Sequence, residues 1–236
     1  MHPAPTDSPT RPSGHRPALA AVLLGVPALL LLLLVELEWG PLIALDEDIA
    51  RTTHRWAVAD PGATRVSRVL TDWVWDPWTM RALCAVAVLW LVGRGARWLA
   101  LWLAGACLVA SAVQQALKAA VDRPRPVWPD PVDSAHFAAF PSGHAMTAAV
   151  VCGLLLWLLR LYGAGPALWR AALALAALSV AGVGLTRVWL GVHWPTDVIG
   201  GWLLGALVVT LTITTYTRGP AQRDTNDDGP TPPVHP

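Results

Sequence analysis

The chain has 236 residues, 54% of them hydrophobic and only 14% charged, with a formal net charge of +1. Its apolar residues fall in blocks too long for an ordinary soluble domain, which makes this an integral membrane protein. A balance so near neutrality gives no reason to expect nucleic acid or a strongly charged partner.

Residues 1–17 and 217–236 are rich in Pro, Gly and polar residues, with almost nothing to bury, and are expected to be disordered tails. Between them, residues 18–216 read as one membrane domain. A bilayer core takes roughly 20 apolar residues as helix. Candidate blocks are centred on Ala18 to Val35, Thr79 to Gly93, Trp98 to Leu117, Ala145 to Leu159, Ala167 to Thr186 and Val198 to Thr214. The expected fold is therefore all-α, an integral membrane bundle of six transmembrane helices.

The first block follows Arg11 and Arg16 as a signal peptide would, but its apolar run is too long and no small-residue cleavage site follows, so it reads as an uncleaved span. After it comes a long acidic loop. Within that loop Val66, Leu70, Trp73 and Val74 stand near helical spacing opposite Arg65, Arg68 and Asp72, the pattern of an amphipathic interfacial helix in the first extracytoplasmic loop. The second block is the weakest, because Arg81 lies near its start, and five spans are the alternative. Cys84, Cys107 and Cys152 lie inside blocks, far from any metal-ligand spacing, and read as small packing residues. From Asp122 to Pro141 repeated prolines push their predecessors out of helical conformation and require an extended loop.

Six spans put the turns holding Arg94, Arg97, Arg160 and Arg170 on the same side as both tails, and the bias of Lys and Arg makes that side cytoplasmic. Three polar segments then share the opposite rim: residues 118–126 (KAAVDRPRP), 141–144 (PSGH) and 186–197 (TRVWLGVHWPTD). A chain so sparing of charge has little structural motive to gather Lys118, Arg123, Arg125, Arg187, His144, His193 and Asp197 there; an anionic ligand supplies one. Ser142 is a favoured N-cap, Gly143 permits close backbone approach, and the first amides of the helix they open are unpaired donors. Asp197, four residues beyond His193, can hold one imidazole nitrogen and leave the other free to attack. His144, on another helix, suits the acid that protonates a departing oxygen.

These segments resemble the site motifs of the type 2 phosphatidic acid phosphatase family: Lys118 to Arg125-Pro126, then Pro141-Ser142-Gly143-His144, then Arg187, His193 and Asp197 at the family's spacings. The resemblance implies metal-independent, cofactor-free hydrolysis of phosphate monoesters or pyrophosphates through a phosphohistidine. His193 is then the nucleophile, Asp197 its orienting partner and His144 the general acid, while Lys118, Arg125, Ser142, Gly143 and Arg187 hold the phosphoryl oxygens. Thr186 departs from the family's usual Ser but keeps the hydroxyl, and Arg123 is read as an auxiliary phosphate or headgroup contact.

The expected substrate is a lipid phosphate or pyrophosphate, such as phosphatidate, phosphatidylglycerophosphate or a polyprenyl pyrophosphate, met in the plasma membrane at the extracytoplasmic headgroup level. No obligate protein partner is evident. Two rival readings remain: a phosphotransferase that passes the phosphoryl group to a lipid or sugar, and a non-catalytic lipid-phosphate binder or transporter.

Overall fold

The computed structural model describes residues 15–219, so the tail expectations for residues 1–14 and 220–236 lie outside the described residues. The described residues form eight α-helices and no strand: α1 (His15–Glu36), α2 (Gly40–Ala59), α3 (Pro61–Val69), α4 (Pro77–Gly93), α5 (Arg97–Val121), α6 (Gly143–Leu161), α7 (Pro166–Trp189) and α8 (Pro195–Arg218). A π-helical turn, Leu70–Val74, continues α3.

By length and composition, α1, α5, α6, α7 and α8 can each cross a membrane. Helix α4, which carries the weakest of the expected blocks, has 17 residues and is not among those five. At about 1.5 Å rise per residue it lies at the short limit for spanning a bilayer.

Helix α6 is the centre of the bundle. It packs against α4, α5, α7 and α8, and Met146, Val150, Val151 and Leu154 are buried along it. Its closest neighbour is α8, where Gly201 and Gly205, four residues apart, form one small-residue face. A Cβ at Gly201 would stand 2.8 Å from the Ser142 carbonyl oxygen, and one at Gly205 would stand 2.7 Å from Ala149 Cβ. In hydrocarbon, where burial gives no drive between helices, such close approach supplies the dispersion contacts that hold them. The α6–α8 contact fixes the N-terminal ends of both helices side by side. Outward, Leu19, Leu23, Val26 and Leu30 on α1 and Leu101, Leu108 and Val109 on α5 are exposed, an apolar exterior suited to lipid.

The acidic stretch after α1 departs from expectation. It is not a loop: α2 runs through it, starting with Pro41 in its first turn. The helix buries Asp46, Ala50, His54 and Ala57 along one face and packs that face on α7 and α8. The α3 segment also differs in detail. Thr64 and Thr71 are its buried residues, Val66, Trp73 and Val74 are exposed, and the α-helix itself ends at Val69.

Candidate active site

Helix α5 overruns its apolar block by one turn and so carries Lys118, buried, at its C-terminal end. Asp122 ends the helix in the left-handed conformation at φ 42°, which a short polar side chain tolerates better than most, and Pro124 prevents continuation. The chain beyond it, up to Ser142, is irregular, as the prolines require. Lys118 Nζ donates to the Ala138 carbonyl. Arg125 folds back beneath the same loop, its Nε donating to Phe137 O at 2.8 Å and its Nη2 to His136 O at 3.1 Å.

Ser142 is fully buried and caps α6, its hydroxyl oxygen accepting from the Ala145 amide at 3.5 Å, while its own amide donates to Asp197 O at 2.9 Å. Gly143 opens the helix against α5: a Cβ there would come within 2.7 Å of Gln114 Nε2. His144 follows on the first turn of α6, half-buried and within electrostatic reach of Arg187, His193, Arg125 and Lys118.

On the last turn of α7, Thr186 spends its hydroxyl on its own helix, donating to Val183 O at 2.9 Å. Arg187 is buried, and its Nε has no hydrogen-bond partner. The chain then reverses at Gly191, whose φ of 67° favours glycine, and a Cβ there would meet Trp128 Nε1 at 2.5 Å. That turn delivers His193, which lies before α8 rather than on it. Asp197, on the first turn of α8, still reaches it: Asp197 Oδ2 lies 3.2 Å from His193 Nδ1 and accepts the Trp194 amide at 2.8 Å. With a carboxylate against Nδ1, that nitrogen carries the proton and Nε2 presents its lone pair. Arg125 Nη1 lies 3.1 Å from Nε2 and also donates to the Val192 carbonyl.

All eight residues singled out from the sequence therefore sit at the ends of α5, α6, α7 and α8 that meet on one rim. Burial, then the charges of Arg125, Arg187 and Lys118, holds the His193 imidazole well below its ordinary value of 6.5, so it is neutral near pH 7. Burial also lowers the Arg125 guanidinium, with Asp197 opposing, and leaves it a cation. A neutral imidazole faced by fixed cations can attack an electrophile whose oxygens carry negative charge.

Arg123, expected as an auxiliary phosphate or headgroup contact, is held by protein groups. It is buried, with Nη1 2.7 Å from Asp197 Oδ1 and Nη2 2.7 Å from Asp46 Oδ2, and its guanidinium lies 5.5 Å from the centre of the Trp194 ring. Two carboxylates occupy it. Asp46 escaped the sequence reading, which took its segment for a loop. The sequence does carry a signal: Asp46, Ala50, His54 and Ala57 repeat at helical spacing after Gly40-Pro41. His54, on the same face, stacks on Trp128 with ring centroids 4.1 Å apart, and its Nε2 lies 3.2 Å from Asp130 Oδ1, which pins the loop between α5 and α6 to α2. Among the described residues, no group of three or more His, Cys, Asp or Glu side chains is placed to hold a metal ion.

The chain is 34% identical over 85 residues to an undecaprenyl-diphosphatase of Sulfolobus acidocaldarius, covering 36% of this chain and 37% of that protein. It is 36% identical over 100 residues to phosphatidylglycerophosphatase B of Bacillus subtilis, covering 42% of this chain and 49% of that protein. The aligned stretches thus span less than half of either relative. In three dimensions it superposes on the crystal structure of a transmembrane PAP2 type phosphatidylglycerolphosphate phosphatase from Bacillus subtilis with a TM-score of 0.74 and 24% identity, covering 84% of this chain and 96% of that one. That likeness establishes the fold, an all-helical multi-pass membrane bundle. The sequence profile of the PAP2 superfamily matches residues 99–220, which include every motif residue described above and just over half of the chain; the protein belongs to the PAP2 superfamily.

Proposed function

We propose that the protein is a membrane lipid phosphatase that removes phosphate from monoester or pyrophosphate headgroups through a phosphohistidine on His193. The observation that carries this reading is the placement of His193, with Nδ1 against Asp197 and Nε2 turned toward Arg125. In the first step the Nε2 lone pair forms a bond to phosphorus as the bond to the leaving oxygen breaks, and that oxygen takes a proton from His144. Asp197 stabilises the positive charge that arises on the substituted imidazole. In the second step His144 takes a proton from water, the hydroxyl attacks phosphorus, and the pair in the N–P bond returns to Nε2.

Phosphoryl transfer needs positioning and electrostatic stabilisation of the equatorial oxygens. Lys118, Arg125 and Arg187 supply charge, and the α6 N-terminus at Ser142 and Gly143 supplies amides. The two named relatives act on an undecaprenyl diphosphate and a phosphatidylglycerophosphate, and a lipid of either kind suits a site at the rim of a bundle. In this reading α4 is a sixth span, both termini are cytoplasmic and the site is extracytoplasmic. The α3 segment lies in the interface, where exposed Trp73 and Trp78 sit at headgroup depth.

The test is phosphate release by the purified protein in detergent, with chelator present, over phosphatidate, phosphatidylglycerophosphate and a polyprenyl pyrophosphate, beside a His193→Ala variant. Metal-independent release that disappears in the variant is expected. Release that survives His193→Ala would overturn the assignment, and product that forms only with an added alcohol acceptor would make the protein a phosphotransferase.

A further inference from the structure

Arg123, Asp46 and Thr196 have no part in the reaction just described, yet they form a buried, mutually hydrogen-bonded polar cluster. Asp46 Oδ1 accepts the Thr196 amide at 3.0 Å, and Asp46 Oδ2 accepts from the Thr196 hydroxyl and from Arg123 Nη2 at 2.7 Å. Arg123 Nη1 donates to Thr196 Oγ1 and to Asp197 Oδ1, each at 2.7 Å. Asp46, Arg123 and Asp197 are each less than a tenth exposed. The chain of contacts runs from α2 through the loop after α5 to the first turn of α8, and ends on the imidazole of His193.

Charge decides what this arrangement does. Alone with Asp197, Arg123 would neutralise it, and a neutralised pair gives little support to positive charge on the imidazole. Asp46 takes a share of the guanidinium and leaves the cluster one negative charge, next to the histidine and in a low dielectric. We propose that Asp46 is a positioning residue for phosphoryl transfer: through Arg123 it fixes the Asp197 carboxylate and keeps the guanidinium from fully offsetting its charge toward His193. This rests on His193 being the nucleophile. Asp46 itself contacts neither His193 nor the cations of the phosphate cradle, so it is set to act on turnover rather than on substrate binding.

Charge-changing variants separate this role from simple packing. Asp46→Asn makes the cluster neutral, Arg123→Gln leaves two negative charges, and the double variant restores the single negative charge with two uncharged amides. Kinetics of phosphate release by each purified protein should give a kcat lowered by roughly ten- to hundredfold for each single variant, the span seen when outer partners that orient a metal-ligating histidine are removed. KM should stay within about threefold, and kcat of the double variant should exceed that of both singles, a non-additive result that only charge balance predicts. A double variant no faster than its slower single, or Asp46→Asn with kcat unchanged, would overturn the proposal. If Arg123→Gln does not fold, Asp46→Glu decides: it keeps the charge and must retain a kcat well above that of Asp46→Asn, and equal kcat for the two would refute the role. Wild type and His193→Ala in the same assay keep the two questions apart, since an inactive wild type or an active His193→Ala removes the phosphatase reading, while a failure confined to the Asp46 series removes only this one.

Discussion

The indole N–H of Trp128 donates to the Gly191 carbonyl at 2.9 Å, and the same ring fills the space that a side chain on Gly191 would need. One contact thus ties the proline-rich loop to the turn that presents His193. Gly191→Ala therefore has two costs, about 1–2 kcal/mol for a Cβ in the left-handed region and a displaced Trp128. Gly163, at φ 70° with open space around it, bears only the first. Thermal melting in detergent should place Gly191→Ala below Gly163→Ala, and only the former should lose kcat. Equal melting temperatures would mean that the Trp128 contact carries no weight.

Because burial and neighbouring cations lower the His193 imidazole, it stays neutral, and able to attack, until the pH falls well below 6.5. The acid limb of kcat/KM assigned to this residue should therefore have its midpoint below 6.5, after correction for the substrate phosphate's own ionisation at about 6. A midpoint at or above the ordinary imidazole value would contradict the buried, cation-flanked setting.

If His144 protonates the leaving oxygen, its removal should matter in proportion to how much that oxygen needs the proton. His144→Ala is expected to lose roughly 10²- to 10⁴-fold in kcat/KM, which reports only the steps up to formation of the phosphohistidine, on an alkyl phosphate. On p-nitrophenyl phosphate, whose leaving group departs as a stable anion, the loss should be far smaller. Equal losses on both substrates would point to a binding role instead.

Arg187→Lys keeps the charge and discards the planar fork. Losing one charge-assisted hydrogen bond of about 1.5–3 kcal/mol corresponds to roughly ten- to a hundredfold in kcat/KM. Steady-state kinetics of the lysine variant measure it, and near-wild-type values would show that Arg187 serves only as a point charge.

The α6–α8 contact predicts a contrast between two glycines. A side chain at Gly205 meets Ala149 Cβ at 2.7 Å and the Met146 carbonyl oxygen at 2.9 Å, whereas nothing lies within 4 Å of a Cβ at Gly105. Gly205→Leu should cost about 1–3 kcal/mol through overpacking and reduce activity, because α6 and α8 both carry site residues. Gly105→Ala should melt at or above wild type.

The sequence and the structure agree most on which residues converge at one rim. Lys118, Ser142, His144, Arg187, His193 and Asp197 could be read from short patterns because each sits where an apolar run meets a polar turn, and helix ends leave local marks such as Ser142 and Pro195. His193 lies on a turn and Asp197 on the helix that follows, yet the spacing of four still brings the two groups together. Asp46 could not be found by the same means. Its partners lie 77 and 150 residues away, at Arg123 and Thr196, and the buried face of α2 consists of Asp, Ala and His rather than a hydrophobic stripe. Arg123 stands beside a phosphate motif, where a cation invites a phosphate, and its two carboxylate partners come from distant segments that the local pattern does not show.

The Asp46–Arg123–Asp197 bridge joins the second helix of the chain to the last. During synthesis residue 197 emerges long after residue 46 has been inserted, so the imidazole at 193 gains its full set of neighbours only when the opening and closing portions of the polypeptide dock. A chain that lacks α8 also lacks the carboxylate at 197 that holds the imidazole and the Arg123 guanidinium, so these contacts form only with the finished bundle.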